Sequence, residues 1–390
     1  MNSRRSQITL RPGVLKWARE RSGFDTGELA AKLKIKPERV LQWEDSGRIS
    51  IAQVDALAKH THTPLGFLYM SEPPDESLPI ADFRTVGNEP LRRPSPELLE
   101  TVYAMQRRQD WMHDELVIQY EAPAIPFVGR FTLAEEPRIV AEFMRKTLAL
   151  GSGWAAENPN WESALRFLQE RVEGIGVLLV INGVVGNNNS RKLDPEEFRG
   201  FVLSDEYAPL IFINNADYKS AQMFTIAHEL AHVFVGETGL SNFEYFQPSA
   251  HDTERFCDRT AAEFLVPEDD LHAYWPEASD MVDPYAAIAR HFKVSSIVAA
   301  RRTLDLRLIE TGEFFEFYDT YKGSEWRGAQ QSQSGGNFWN TQRWRIGARF
   351  AAAVVRAVRE GRLTYREAYS LTGLKGDTFK AMPERMGIEV

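Results

Sequence analysis

Within FTIAHELAHVFVG, residues 224–236, His228, Glu229 and His232 have the side chains of a hydrolytic metal centre. Residues four apart on a helix differ by about 40° around its axis, so the two histidines project from one face a turn apart. Two imidazole nitrogens placed in this way suit one Zn²⁺ at about 2.0–2.1 Å. Glu229, beside the first histidine, has the chemistry and reach of a general base for water activated by that ion. A third protein ligand is still required. The stretch ERFCD supplies Glu254 and Asp258, again four apart, with Glu254 lying 22 residues beyond His232. Glu254 is expected to complete the ligand set from a neighbouring antiparallel helix, with Glu263 as the fallback. Asp258 is expected to accept the outer N–H of a zinc histidine and fix its tautomer. His251 and Tyr245, in the segment between the two helices, are candidates to stabilise an oxyanion or to act only as surface or capping residues.

These residues need a rigid frame, and the apolar pattern around them describes one. GVLLVING, FRGFVLSD and APLIFINN read as three strands, the first two separated by the turn-rich GNNNSRKLDPEE. APLIFINN (208–215) is either an edge strand that holds an extended substrate by strand addition or an ordinary member of the sheet. The metal-binding helix is expected at 218–236 and a second at 252–266, stopped by Pro267. Helices at 96–120, 136–150 and 159–173 precede the strands, and helices continue to about 310. Beyond that, GEFFEFYDTYKG reads as a short strand and SEWRGAQQSQSGGNFWN as a loop. TQRWRIGARFAAAVVRAVREG reads as one long helix, and TYREAYSLTG with GDTFKAMPERM as a packed helix pair or, alternatively, a helix-turn-helix.

The N-terminal part has a different texture. Residues 12–70 read as four or five short helices, with a capping-box spacing at Asp25 and Glu28 and with Pro12 and Pro37 in first turns. A Pro-rich connector covers 71–96. Residues 1–70 carry five Lys and seven Arg against three Asp and four Glu, +5 in all, which leaves −14 for the rest of a chain whose total is −9. A basic module on an acidic body points to a nucleic-acid contact confined to the N-terminus. The single cysteine, Cys257, excludes an internal disulfide. With no apolar run of membrane-spanning length and no signal-peptide core, a cytoplasmic location is expected.

The run RGFVLSDEYAPLIFINNADYKSAQMFTIAHELAHVFVG, followed by ERFCDRTAAEFLVP, closely resembles the ImmA/IrrE family of bacterial zinc metallopeptidases. Residues 12–84, with LRPGVLKWARERSG and LQWEDSGR, resemble the XRE/Cro-type helix-turn-helix that often precedes that domain. The resemblance implies a cytoplasmic zinc endopeptidase that cleaves a regulator, such as a transcriptional repressor, in a stress-response, mobile-element or toxin–antitoxin-like system. It carries the ligand role onto His228, His232 and Glu254 and the catalytic role onto Glu229. One departure is Thr260, which stands where the family usually has Phe. In a helix-turn-helix the second helix reads base edges in the major groove, which gives Lys36, Arg39 and Gln42 that task and Thr26 a phosphate; Glu38 at the same leading edge is unfavourable. The expected fold is α+β and mostly helical. It comprises an all-α helix-turn-helix domain (1–70), the linker (71–96), a zincin-like peptidase domain with a small sheet (97–311) and a mainly helical extension (312–390). The partners expected are a protein substrate and double-stranded DNA through residues 12–70, with no membrane and with homodimerisation left open. The alternative reading is a DNA-binding regulator or antitoxin whose peptidase-like domain is not catalytic.

Overall fold

The computed structural model describes residues 7–82, 94–215, 219–241, 251–328 and 338–388. Two compact units form, one from residues 1–79 with 90–102 and the other from 80–89 with 103–390.

In the first unit the strand β1 (Gln7–Thr9) precedes α1 (Pro12–Arg21), α2 (Thr26–Leu33) and α3 (Pro37–Ser46). Strand β2 (Arg48–Ser50), paired antiparallel to β1, leads into α4 (Ile51–His60). The capping box expected from Asp25 and Glu28 is formed at the start of α2, and the two prolines lie in the first turns of α1 and α3. Val14, Leu15, Leu29, Trp43, Ile49 and Leu57 form the core between these helices.

The chain continues with β3 (Ala81–Asp82) and α5 (Pro96–Asp114), the latter ending in a π-helical turn over Glu115–Gln119. Next come α6 (Pro137–Thr147), α7 (Trp161–Gly174), β4 (Leu178–Asn182), β5 (Gly200–Leu203) and β6 (Leu210–Asn214). Helix α8 (Lys219–Val235), β7 (Gly239–Ser241) and α9 (Asp252–Leu265) follow. The remaining helices are α10 (Glu268–Ser279), α11 (Pro284–Phe292), α12 (Ser296–Asp305), α13 (Thr311–Gly328), α14 (Phe338–Ile346), α15 (Ala348–Arg359), α16 (Tyr365–Thr372) and α17 (Gly376–Met386). The fold is α+β and mostly helical, with one small mixed sheet. Among the described residues no helix is long and apolar enough to cross a membrane.

The sheet has the order β3-β7-β5-β6-β4. β4 and β6 run parallel; β5 runs antiparallel to both β6 and β7; β3 joins β7 in parallel. Every residue of β4, β5 and β6 is buried, as continuous apolar strands covered on both faces must be. Leu179, Ile181, Val202, Ile211 and Ile213 point into the core shared with α8, whereas Phe201 and Phe212 stack at 5.0 Å on the alternate face.

One open alternative is decided and two expectations are corrected here. APLIFINN is not an edge strand, because β6 is paired on both sides and has no free ladder to offer. GEFFEFYDTYKG is helical: Phe314, Phe317, Tyr318 and Tyr321 recur with a period near 3.6 and turn one face to the core, which outweighs their aromatic strand propensity. The long helix from 341 breaks at Gly347, whose φ of +82° separates α14 from α15. The segment from 312 onward is part of the second unit.

Candidate metal centre

Helix α8 is buried on every side: Met223, Ile226, Ala227, Leu230, Ala231, Val233 and Phe234 all lie in the main core. His228, Glu229 and His232 sit inside this apolar helix at 0–1% exposure. Burying three ionisable groups there is costly unless charges and hydrogen bonds compensate them. Helix α9 supplies that compensation. Asp258 approaches His228 and Glu254 approaches both histidines, so the contacts run backward along α9 as they run forward along α8, and the helices are antiparallel.

The three donor atoms converge. His228 Nε2 lies 3.0 Å from His232 Nε2 and 3.2 Å from Glu254 Oε2, and His232 Nε2 lies 3.0 Å from Glu254 Oε1. Tetrahedral ligands at about 2.0–2.1 Å from one ion are roughly 3.3 Å apart, so the triangle is close to the dimensions of a zinc site. Two imidazole nitrogens face each other across 3.0 Å beside a carboxylate, a donor set that could hold one cation. The remaining nitrogen of His228, Nδ1, is 2.9 Å from Asp258 Oδ1, which directs Nε2 toward the shared point.

The electrostatics have the same sense. Burial pulls His228 down, but the Glu254 and Asp258 carboxylates outweigh it and leave its pKa well above the ordinary value. Burial holds His232 below its ordinary value. Burial alone would raise the Glu254 carboxyl, yet the two histidines hold it well below the usual carboxylate range. The pocket thus favours an ionised carboxylate facing one positive charge. Cys257, fully buried on α9, is pushed up by burial and by the carboxylates around it, so its thiol stays protonated.

Glu229 is packed against the sheet. A Cβ built on Gly200, the first residue of β5, would lie 2.6 Å from Glu229 Oε1 and 3.0 Å from the Phe212 carbonyl oxygen. Only a residue without a side chain lets the carboxylate occupy this space. Sequence reasoning missed Gly200, although a glycine opening an apolar strand is itself a signal of close approach.

Other expected residues fall elsewhere. Glu263, the fallback ligand, is taken by an ion pair with Arg302, whose guanidinium also donates to the Val266 carbonyl, so it does not join the ligand triangle. His251 occupies the N-cap position of α9, outside the converging group. Tyr245 lies outside the described residues. Thr260 is fully buried. In the first unit, Lys36 is the exposed N-cap of α3, and Arg39 donates to Gln42 at 3.0 Å one turn on. Thr26 opens α2, where the Asp25 carboxylate already accepts the Glu28 N–H at 2.7 Å. Glu38, Leu41 and Asp45 are exposed on α3 beside Gln42.

A search of curated proteins returns no significant match to the chain. Residues 346–385 match a family described as a domain of unknown function (DUF8813). Over residues 176–304, which include β4 to β7, helices α8 and α9 and His228, Glu229, His232 and Glu254, the chain is similar to the peptidase family described as the IrrE N-terminal-like domain.

Proposed function

We propose that this chain is a zinc-dependent metalloendopeptidase of the H-E-x-x-H type that cleaves a regulatory protein, joined to an N-terminal DNA-contacting module. The observation that carries the proposal is the buried triangle of His228, His232 and Glu254 with Glu229 on the same helix, inside the segment similar to the IrrE N-terminal-like family. Zinc bound by these three residues supplies Lewis acidity toward a scissile carbonyl and makes water acidic enough to be deprotonated near neutral pH. The protein's part is acid–base chemistry and positioning. Glu229 Oε takes the proton of the attacking water and returns it to the departing amine nitrogen. Gly200 leaves room for that carboxylate, and Asp258 holds the tautomer of His228. The buried surroundings strengthen each of these electrostatic contacts.

The basic module in front of the peptidase-like domain supports a regulator as substrate. Lys36, Arg39 and Gln42 at the start of α3 have the donors for base edges, and a module that holds DNA raises the local concentration of DNA-bound proteins near the cleavage site.

Incubation of the zinc-loaded chain with proteins encoded beside its gene, wild type against Glu229→Gln, tests the assignment. A discrete product is expected from the wild type, and removal of the general base should slow its formation by about 10²–10⁴-fold. A product formed equally fast by both overturns the mechanism.

A further inference from the structure

An extended polypeptide adds to a sheet through the unpaired backbone groups of an edge strand. In this sheet β5, β6 and β7 are interior. β4 is at an edge, but α14 packs along it and Gly347 lies against the Leu179 carbonyl, where a Cβ would come within 3.2 Å of the oxygen. The opposite edge is β3, two residues long, pairing Ala81 with Gly239 and Asp82 with Leu240 of β7.

β7 is the strand that matters for chemistry. Its Ser241 is the register partner of Gly200 on β5, and Gly200 is the residue against which the Glu229 carboxylate rests. The outer side of β7 is therefore one strand away from the proposed general base. It is filled by the chain itself. The residues that fill it, Ala81 and Asp82, belong to the second unit, although the chain up to residue 79 belongs to the first. Among the described residues the hold consists of two paired residues following Pro79, anchored by the buried Ile80.

We propose that residues 80–82 are a self-strand, a displaceable occupant of the β7 edge that an extended segment of a protein substrate replaces. The word substrate rests on the peptidase reading; the exchange of one strand for another does not. The site accordingly takes unfolded or extended segments, not helices, because only an extended backbone can pair with β7. Resting chains are self-blocked, and whatever draws residues 80–82 away from β7 unblocks them.

The probe is a fluorescein-labelled peptide with the sequence of residues 76–88, ESLPIADFRTVGN. It is added to the full-length chain carrying Glu229→Gln, so that nothing is cleaved, with and without Ala81→Pro and Asp82→Pro. Proline at both positions removes the ladder N–H groups of β3. A filled edge lowers apparent affinity by the fraction of chains in which it is vacant, so the double-proline chain should bind the peptide at least about tenfold more tightly by anisotropy. Its β7 backbone amides should exchange faster with solvent and regain protection when the peptide is added. Equal affinity for both chains, binding by neither, or no regained protection overturns the proposal. Ile80→Ser, which removes the buried anchor without proline, gives the same readouts if the double variant does not fold. Neither readout needs cleavage, so a chain that exchanges strands but never cleaves refutes the peptidase and not the self-strand.

Discussion

Gly200 and Glu229 show how a single missing side chain makes room for the proposed general base. The space a Cβ would take at Gly200 is held by the Glu229 carboxylate on one side and the Phe212 carbonyl on the other. Gly200→Ala must displace one of them, and the end of a glutamate moves more easily than strand backbone. The expected result is a chain that binds zinc normally and cleaves about 10²-fold more slowly, since a shift near 1 Å in a catalytic group costs that much. Its stability should fall by about 1–3 kcal/mol from overpacking. Zinc content, cleavage rate and urea denaturation of the one variant separate the three effects; an unchanged rate would show that Glu229 does not act from this position. At the proposed ligands the spacing of the residues was enough to anticipate which side chains come together. His228, His232 and Glu254 converge as the i, i+4 pattern and the downstream carboxylate require, and Asp258 takes the outer nitrogen of His228. What spacing alone left open was the choice between Glu254 and Glu263. Arg302, 39 residues beyond Glu263, settles it by engaging that carboxylate, and such a partner has no local signature.

At the level of elements, Glu173 at the end of α7 accepts backbone N–H groups of Ala348 and Arg349 and so caps α15 from a distance. Burial pushes its carboxyl up to about 7, against those hydrogen bonds and the nearby Arg343 and Arg349. A carboxyl with a folded-state pKa above its unfolded value contributes stability that is complete below pH 4.5 and is lost as pH rises toward 7. Relative to Glu173→Gln, the wild type should lose about 3 kcal/mol of unfolding free energy between those limits. Urea titrations of the pair from pH 4.5 to 8 measure it; parallel curves would mean that the group does not titrate in this range. The strands and helices α8 and α9 were legible from their apolar runs, because their residues repeat with the period of the element they form. The helical α13 and the break at Gly347 were not. Aromatic residues favour strands and helices alike once a core is available, and the φ of Gly347 is set by its approach to Glu173 and Leu179, distant in sequence. The interior place of β6 was hidden for the same reason, since pairing on both sides depends on β4 and β5, not on APLIFINN itself.

The whole molecule joins a basic N-terminal unit to an acidic unit that carries the candidate metal centre. If the first unit contacts DNA through α3, its binding to duplex should weaken steeply with salt and weaken further in Arg39→Ala, by about 1–3 kcal/mol where the guanidinium meets a base. Absence of retardation at low salt would assign that unit to protein contacts, for which the exposed Glu38, Leu41 and Asp45 on the same helix are suited. Either outcome leaves the second unit with its own chemistry, and there the central claim is most exposed. Elemental analysis of the purified full-length chain, wild type against Glu254→Ala, tests it directly. The account predicts about one zinc per wild-type chain and a large loss on removal of the carboxylate ligand, with the fold retained by circular dichroism. A wild-type chain that takes up no zinc, or a variant that holds it as tightly, would contradict the account.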